Sequence, residues 1–266
     1  MGTEIMSPAG RLHVDDGGEG GVPVVFIHSF AGSAGHWTEQ LDHLRGKRQA
    51  VALDLRGHGQ SDARASEDVT IDDLAGDVGA VLDDLGLERV ALVGHSIGGL
   101  AAIAYATEHP ERVAGMLLVG TPGRVPMQQA DEIMSHMTSN YDDTMASYWD
   151  RLLDHASTAT RAQIERDREA LPRSVSLALI RSTFAFDPLP GLRDYPGVVM
   201  TVTVGDSPFD LSKQLPDVPD ATVTGTSHWV QLDRPEEFDR ILDRFLAVVD
   251  AQVRAGQPAS PATRSS

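Results

Sequence analysis

Residues 90–99 read VALVGHSIGG, an apolar run that ends in a serine flanked by glycines. The run predicts a buried strand, and the small-residue stretch LAAIAYATEHP (100–110) predicts a helix directly after it. This is the G-x-S-x-G pattern, in which a sharp turn presents a serine hydroxyl above the sheet. Gly94 and Gly98 leave room for backbone that a Cβ would crowd. We therefore predict that Ser96 is a nucleophile; the simpler interpretation is that it only caps a helix.

Strand-like apolar runs alternate with helical patterns on both sides of this motif. The predicted strands cover residues 4–7, 11–15, 24–28, 50–55, 90–94, 113–120, 198–205 and 221–225. The predicted helices of this alternation cover residues 36–46, 71–87, 100–110 and 235–253. Such alternation predicts an α/β fold, a mostly parallel, eight-stranded, doubly wound sheet with helices on both faces. In sheets of this kind ligands bind beyond the carboxyl ends of the strands.

The alternation breaks over residues 122–188, where no strand-like run occurs. This segment predicts four helices, at about 126–138, 141–156, 158–170 and 173–184. We therefore expect a core made of residues 1–121 and 189–254, interrupted by a helical insertion. The tail from residue 255 to 266 has low complexity and is expected to be disordered.

A serine hydroxyl needs a general base, and His228 has the required place in the chain. It follows the last predicted strand and precedes the final helix, which fits the order serine, acid, histidine. The acid is expected directly after the strand at 198–205. Asp206 is the first carboxylate there and is the preferred candidate, with Asp210 as the competitor. Either aspartate also suits an ordinary turn.

An acyl-transfer site also needs backbone N–H groups that bind the oxyanion. The residue after the nucleophile, Ile97, is expected to supply one of them. The loop after the first buried strand is expected to supply the other, from Phe30 or Ser29. His95 flanks the nucleophile and is predicted to shape the pocket.

Composition restricts the class of protein. The formal net charge of -17 opposes binding to nucleic acids and anionic lipids. The chain has no cysteine, so it has neither disulfides nor thiolate metal ligands. The sequence shows no secretory signal and no apolar run of membrane-spanning length, and it therefore predicts a soluble cytoplasmic protein. The pattern predicts no cofactor and no metal, and a monomer or homodimer that acts on a small molecule.

The motifs taken together resemble the α/β-hydrolase superfamily, in its branch with a helical cap. The segments that carry the resemblance are VVFIHSFAGSAGHW (24–37), DLRGHGQSD (54–62), LVGHSIGG (92–99), AYATEHPERVAGMLLVG (104–120) and GTSHWVQLDRPEEF (225–238). The resemblance covers roughly residues 11–250. It implies a triad of Ser96, an acid after the seventh strand and His228, with residues 122–188 as a cap over the site. His28, His95, Trp149 and Trp229 are the expected substrate contacts.

Two positions depart from the family pattern. The family has His-Gly in the first oxyanion loop, where this chain has His28-Ser29. The side chain of Ser29 is therefore expected to narrow the oxyanion hole or to add a hydroxyl near the substrate. The family places its acid three residues after a glycine, where this chain has Pro208 after Gly205. Alignment of Asp206 with the acid therefore needs a shorter loop.

A serine nucleophile argues against the dehalogenases and epoxide hydrolases of the superfamily, which use aspartate. The sequence predicts a hydrolase that cleaves a small to medium, largely uncharged carboxylic ester or lactone. Three alternatives stay open: a hydrolase that cleaves carbon–carbon bonds of ring-fission products, a cofactor-free perhydrolase, and a non-catalytic ligand-binding protein on the same scaffold.

Overall fold

The fold is built on one eight-stranded sheet, in a computed structural model that describes residues 2–62 and 68–256. The strands are β1 (Gly2–Ser7), β2 (Gly10–Gly17), β3 (Val24–Ile27), β4 (Ala50–Leu53), β5 (Val90–His95), β6 (Val113–Val119), β7 (Val198–Val204) and β8 (Asp220–Val223). Their order across the sheet is β1-β2-β4-β3-β5-β6-β7-β8. β1 and β2 are antiparallel to their neighbours, and every other pairing is parallel. The predicted fold class is confirmed.

Ten α-helices in the described residues connect or cover the strands. They are α1 (Thr38–Arg45), α2 (Ile71–Asp84), α3 (Ile97–Glu108), α4 (Met127–Ser139), α5 (Tyr141–Leu152), α6 (Thr158–Glu169), α7 (Arg173–Ala185), α8 (Leu189–Asp194), α9 (Val230–Asp233) and α10 (Pro235–Gly256). The sheet has an apolar layer on each face: α2 and α3 pack into one, and α1 and α10 into the other. None of the described helices has the length and hydropathy that crossing a membrane requires.

Helix α2 shows how local sequence sets these elements. The Thr70 hydroxyl accepts the N–H of Asp73, whose carboxylate accepts the N–H of Thr70, so the first turn is capped from both sides. Leu74 and Val78 lie on the apolar face, which is fully buried. Gly86, at φ 63°, follows the helix in the left-handed conformation that glycine adopts easily. Together these features hold α2 against α3, which carries the serine motif.

Helices α4 to α7 lie between β6 and β7, in the segment predicted as a helical insertion. One buried contact joins this segment to the loop region of the body. His36 is fully buried, and its Nε2 lies 2.8 Å from Oδ2 of Asp167 on α6. The insertion is therefore attached to the residues that immediately follow the first oxyanion loop. The division of the chain at 122 and 188 remains a prediction.

Several boundaries differ from those predicted. Helix α3 begins at Ile97 rather than at 100, because Gly98 and Gly99 weaken the helical pattern of its first turn. The short helices α8 and α9 were not predicted, since one turn carries almost no periodicity. Helix α10 continues to Gly256, two residues into the predicted tail. The remaining tail, residues 257–266, lies outside the described residues.

Candidate active site

Ser96 lies at the tip of the turn between β5 and α3. Its backbone has φ 53° and ψ -118°, a conformation that is rare and strained for a residue with a side chain. Its N–H donates to the carbonyl of Val119, 2.8 Å away, and its carbonyl accepts the N–H of Gly99 at 2.9 Å. These hydrogen bonds fix the turn. The Ser96 side chain is partly exposed and lines a cavity at the N-terminus of α3. That position favours developing negative charge.

Gly94 and Gly98, on either side of Ser96, lie so close to neighbouring backbone atoms that a side chain would not fit. A Cβ on Gly98 would lie 2.5 Å from the carbonyl oxygens of both Ile27 and His28. A Cβ on Gly94 would lie 2.5 Å from the carbonyl oxygen of Gly98. Real Cβ atoms do not approach so closely, so the β3 loop and the serine turn pack against each other only with glycine here.

His228 lies across the same cavity, in the loop between β8 and α9. Its ring packs on Gly120 at the end of β6, where a Cβ would lie 2.9 Å from the ring Cε1. Its backbone N–H donates to the carbonyl of Leu152 at 2.9 Å, which attaches this loop to the end of α5. Burial, reinforced by the charge of Arg151, lowers the pKa of His228 to about 4. The ring is therefore neutral at neutral pH, the state in which it accepts a proton.

The two candidate acids have different surroundings. Asp210 is buried, and its carboxylate accepts the N–H and the hydroxyl of Ser212, at 3.0 and 2.7 Å. Burial raises its pKa despite these bonds. Asp206 is exposed in the loop after β7 and lines the cavity that holds Ser96 and His228. Among the described residues, no carboxylate is hydrogen-bonded to the His228 ring, so the acid partner remains a prediction.

The expected oxyanion donors lie next to Ser96. Ile97 is the first residue of α3, where N–H groups have no acceptor inside the helix. Phe30 lines the cavity, and its N–H has no backbone acceptor in the described chain. Ala31 follows at φ 52°, and its N–H donates to Nε2 of His58 at 3.3 Å. The loop is thus held by a buried histidine, and the structure brings Phe30 and Ile97 to one wall of the cavity.

The Ser29 hydroxyl does not face the cavity, contrary to its expected place near the substrate. It is buried and accepts the indole N–H of Trp229 at 3.1 Å. Trp229 stacks on Trp149 of α5, with ring centroids 6.1 Å apart, and Trp149 stacks on Phe30 at 5.7 Å. This aromatic column (Phe30, Trp149 and Trp229) connects the oxyanion loop, the insertion and the residue after His228.

Four predicted substrate contacts are absent from the lining of this cavity: His28, His95, Trp149 and Trp229. All four are buried, because each one packs behind the wall. The Nε2 of His28 accepts the N–H of Leu55 at 3.0 Å. His95 contacts the amide of Gln231, and its ring centroid lies 4.6 Å from that of His228. In this structure these side chains support the wall, and their role as substrate contacts stays a prediction.

The cavity has a volume of about 1010 Å³ and extends from Ser96 to helices α4, α5 and α7. Its lining includes apolar side chains such as Met137, Ile180 and Phe184. It also includes Arg151, in the last turn of α5, which the sequence analysis did not select. An arginine at that place in a helix is ordinary, so the sequence offered no signal that it faces a cavity.

Comparison with known proteins gives the same architecture. A family model described as alpha/beta hydrolase fold matches residues 22–172. A solved structure described as Est816, an N-acyl homoserine lactone degrading enzyme, is 25% identical with a TM-score of 0.77, over 91% of this chain and 100% of that one.

Two curated relatives differ in how much of their length is matched. The dihydrolipoyllysine-residue acetyltransferase component of the acetoin cleaving system of Pseudomonas putida is 40% identical over 107 residues, which are 40% of this chain and 29% of that protein. The chain thus spans less than a third of that relative's length. The 2-hydroxy-6-oxo-6-phenylhexa-2,4-dienoate hydrolase of Burkholderia cepacia is 25% identical in an alignment of 267 positions that covers 89% of this chain and 91% of that protein.

Proposed function

The chain belongs to the alpha/beta hydrolase fold family, and on that premise we propose that it hydrolyses a carboxylic ester or lactone through an acyl-serine intermediate. One observation carries the proposal: Ser96 occupies a strained turn and faces a cavity that His228 also lines. A serine in such a turn can attack a carbonyl carbon once a neutral base takes its proton, and His228 is the histidine proposed for that role.

The reaction would proceed in two halves. Ser96 Oγ attacks the carbonyl carbon, and His228 takes the hydroxyl proton. The N–H groups of Phe30 and Ile97 bind the oxyanion that forms. His228 returns the proton to the leaving oxygen, the C–O bond breaks, and the acyl group stays on Ser96. Water then attacks the acyl-enzyme by the same route, so that one water is consumed for each acid and alcohol released.

The aspartate in this scheme is Asp206, which would orient the His228 ring and stabilise its charged form. Both aspartates line the cavity, but the carboxylate of Asp210 already accepts two hydrogen bonds from Ser212, which favours Asp206 for this role. Gly205, at φ 72°, is the flexible position from which the Asp206 loop would turn toward His228.

Support for ester or lactone cleavage comes from the cavity and from a relative. Apolar side chains such as Phe30, Ile97 and Ile180 line part of the cavity, which suits the body of an acyl group. A structural relative of similar architecture is described as an N-acyl homoserine lactone degrading enzyme, which supports a lactone as one substrate class. The full-length match to a dienoate hydrolase favours carbon–carbon bond hydrolysis as the second candidate.

The wild-type protein is expected to hydrolyse p-nitrophenyl acetate, butyrate or octanoate, because a partly exposed serine that shares a cavity with a neutral histidine attacks activated esters. Release of p-nitrophenol measures the reaction, and the preferred chain length reports the usable depth of the cavity. A dienoate ring-fission product, followed by loss of its absorbance, is the comparison substrate. Rapid dienoate cleavage without ester hydrolysis would favour the second candidate, and no reaction with either substrate would overturn both.

Asp206→Asn is expected to lower kcat by roughly a hundredfold, because the histidine then loses the charge that stabilises its protonated form. The matched variant is Asp210→Asn, four residues away in the same loop. Its expected effect is on the midpoint of thermal unfolding, since Asp210 holds the turn at Ser212. Steady-state kinetics and thermal melts of both proteins separate the roles, and the reverse pattern would assign the acid to Asp210.

A further inference from the structure

Arg151 is a positive charge on the wall of the cavity that holds Ser96. It is the one lysine or arginine among the described residues that line this cavity. It lies one residue before Leu152, whose carbonyl accepts the N–H of His228, so its place is tied to the loop that carries the base. Its guanidinium carbon stands 5.7 Å from the centre of the Tyr148 ring, which supports the side chain from one side.

No carboxylate in the described chain forms an ion pair with Arg151, and its guanidinium donates no hydrogen bond there. Two arginines of the insertion do have such contacts: Arg124 lies 3.6 Å from Asp187, and Arg161 donates to the carbonyl of Leu153. The five donors of a guanidinium suit a carboxylate in a planar, bidentate geometry. Arg151 is exposed and lines the cavity, so these donors are accessible to a group that enters it.

The charge of Arg151 also acts on the base. It lowers the pKa of His228, in addition to the larger effect of burial. This charge opposes the imidazolium that forms during catalysis. An anion bound to Arg151 would offset that effect. A substrate that carries its own anion would therefore bind more tightly, and it would also make proton transfer to His228 more favourable.

The other charged groups of the lining limit which anion fits. Asp143, Asp154, Asp206 and Asp210 all line the cavity. The carboxylate of Asp154 accepts the N–H of its neighbour His155, and Asp143 lies two helical turns, about 12 Å, from Arg151 along α5. Four aspartates repel a dianion such as a phosphate monoester more strongly than a monoanion. The lining thus favours a single negative charge placed against Arg151.

We propose that the substrate carries one carboxylate besides the ester or lactone that is cleaved, and that Arg151 binds this carboxylate. The inference rests on the proposed ester or lactone hydrolysis and names its substrate class. It replaces the expectation of a largely uncharged substrate. A single arginine suffices because bidentate contact needs only one guanidinium.

The test compares matched esters that differ in charge. Monoethyl succinate, glutarate and adipate carry one carboxylate, their diethyl esters carry none, and ethyl 6-aminohexanoate carries a cation. Hydrolysis is followed by titration of the released acid. We expect kcat/KM for the best monoethyl ester to exceed that of its diethyl ester by roughly tenfold to a hundredfold. Arg151→Met should bring this ratio to about one, Arg151→Lys should retain part of it, and Arg166→Met, outside the cavity, should preserve it.

A binding measurement separates this inference from the proposed reaction. Calorimetry with the Ser96→Ala protein measures the affinity for the monoethyl esters without turnover, and the Ser96→Ala, Arg151→Met double variant is expected to lose it. If the protein hydrolyses the esters but Arg151→Met leaves the ratio of kcat/KM between monoethyl and diethyl esters unchanged, the carboxylate site is wrong and the proposed reaction stands. A preference for the amino ester would have the same meaning. Absence of hydrolysis for every ester, together with Arg151-dependent binding, would overturn the proposed reaction and support the carboxylate site.

Discussion

Ser96→Ala is expected to reduce kcat for any hydrolysed ester by roughly 10⁵-fold, to the level that binding and the oxyanion donors supply alone. The covalent route needs the hydroxyl oxygen, and no other serine shares the turn at the start of α3. The KM should change little, because the Cβ and the cavity wall stay in place. Steady-state kinetics, with circular dichroism of the folded variant, check the result. Ser139→Ala, on α4 outside the cavity lining, is the matched control.

A companion substitution tests whether the turn is strained. Ser96→Gly should lose as much activity as Ser96→Ala, yet it should raise the free energy of unfolding by about 1 kcal/mol, because glycine adopts φ 53° without a Cβ clash. Full activity in the alanine variant would remove Ser96 from the mechanism. Equal stability of the alanine and glycine variants would instead contradict strain at this residue.

Gly98→Ala is expected to cost at least about 3 kcal/mol of the free energy of unfolding. The new Cβ would meet two backbone oxygens at the end of β3, and neither can rotate away as a side chain would. The strand and the loop that carries Phe30 would have to move. For a chain of this size the midpoint of thermal unfolding should fall by roughly 6–12 °C, with a corresponding loss of soluble protein.

The matched control for this substitution is Gly76→Ala. Gly76 lies inside α2, and a Cβ there would have no heavy atom within 4 Å. Alanine has the higher helix propensity, so this variant should gain about 0.5–1 kcal/mol. Urea titrations of both proteins measure the difference. A Gly98→Ala protein with wild-type stability would mean that β3 and the serine turn are less tightly packed than the structure has them.

The sheet was predictable because its strands are apolar on both faces. Phe26 and Val93 lie in central strands without solvent contact, and such strands appear in sequence as short uninterrupted apolar runs. The serine motif also follows from local pattern, since the strand, the glycines and the helix are adjacent in the chain. One-turn helices and exact helix ends were not predictable, because they depend on contacts with distant segments.

The residues that line the cavity were predicted less well from the sequence than the turn at Ser96. The two tryptophans near the site, Trp149 and Trp229, are large and aromatic, which made them natural candidates for substrate contacts. In the structure the two rings stack on each other. Ser29, which departs from the family pattern, accepts the indole N–H of Trp229. These contacts join residues that are far apart in sequence, so no local pattern signals them. The direction of Arg151 depends on the same long-range packing.

The aromatic column also bears on how the insertion can change during evolution or in redesign. Trp149 is held between Phe30 and Trp229, and the end of α5 is bonded to the loop of His228. Helix α5 therefore packs as part of the α/β core around Ser96 and His228, although its sequence lies in the insertion. Chimeric enzymes that exchange insertions between relatives should therefore keep α5 with its host and graft the flanking helices around it.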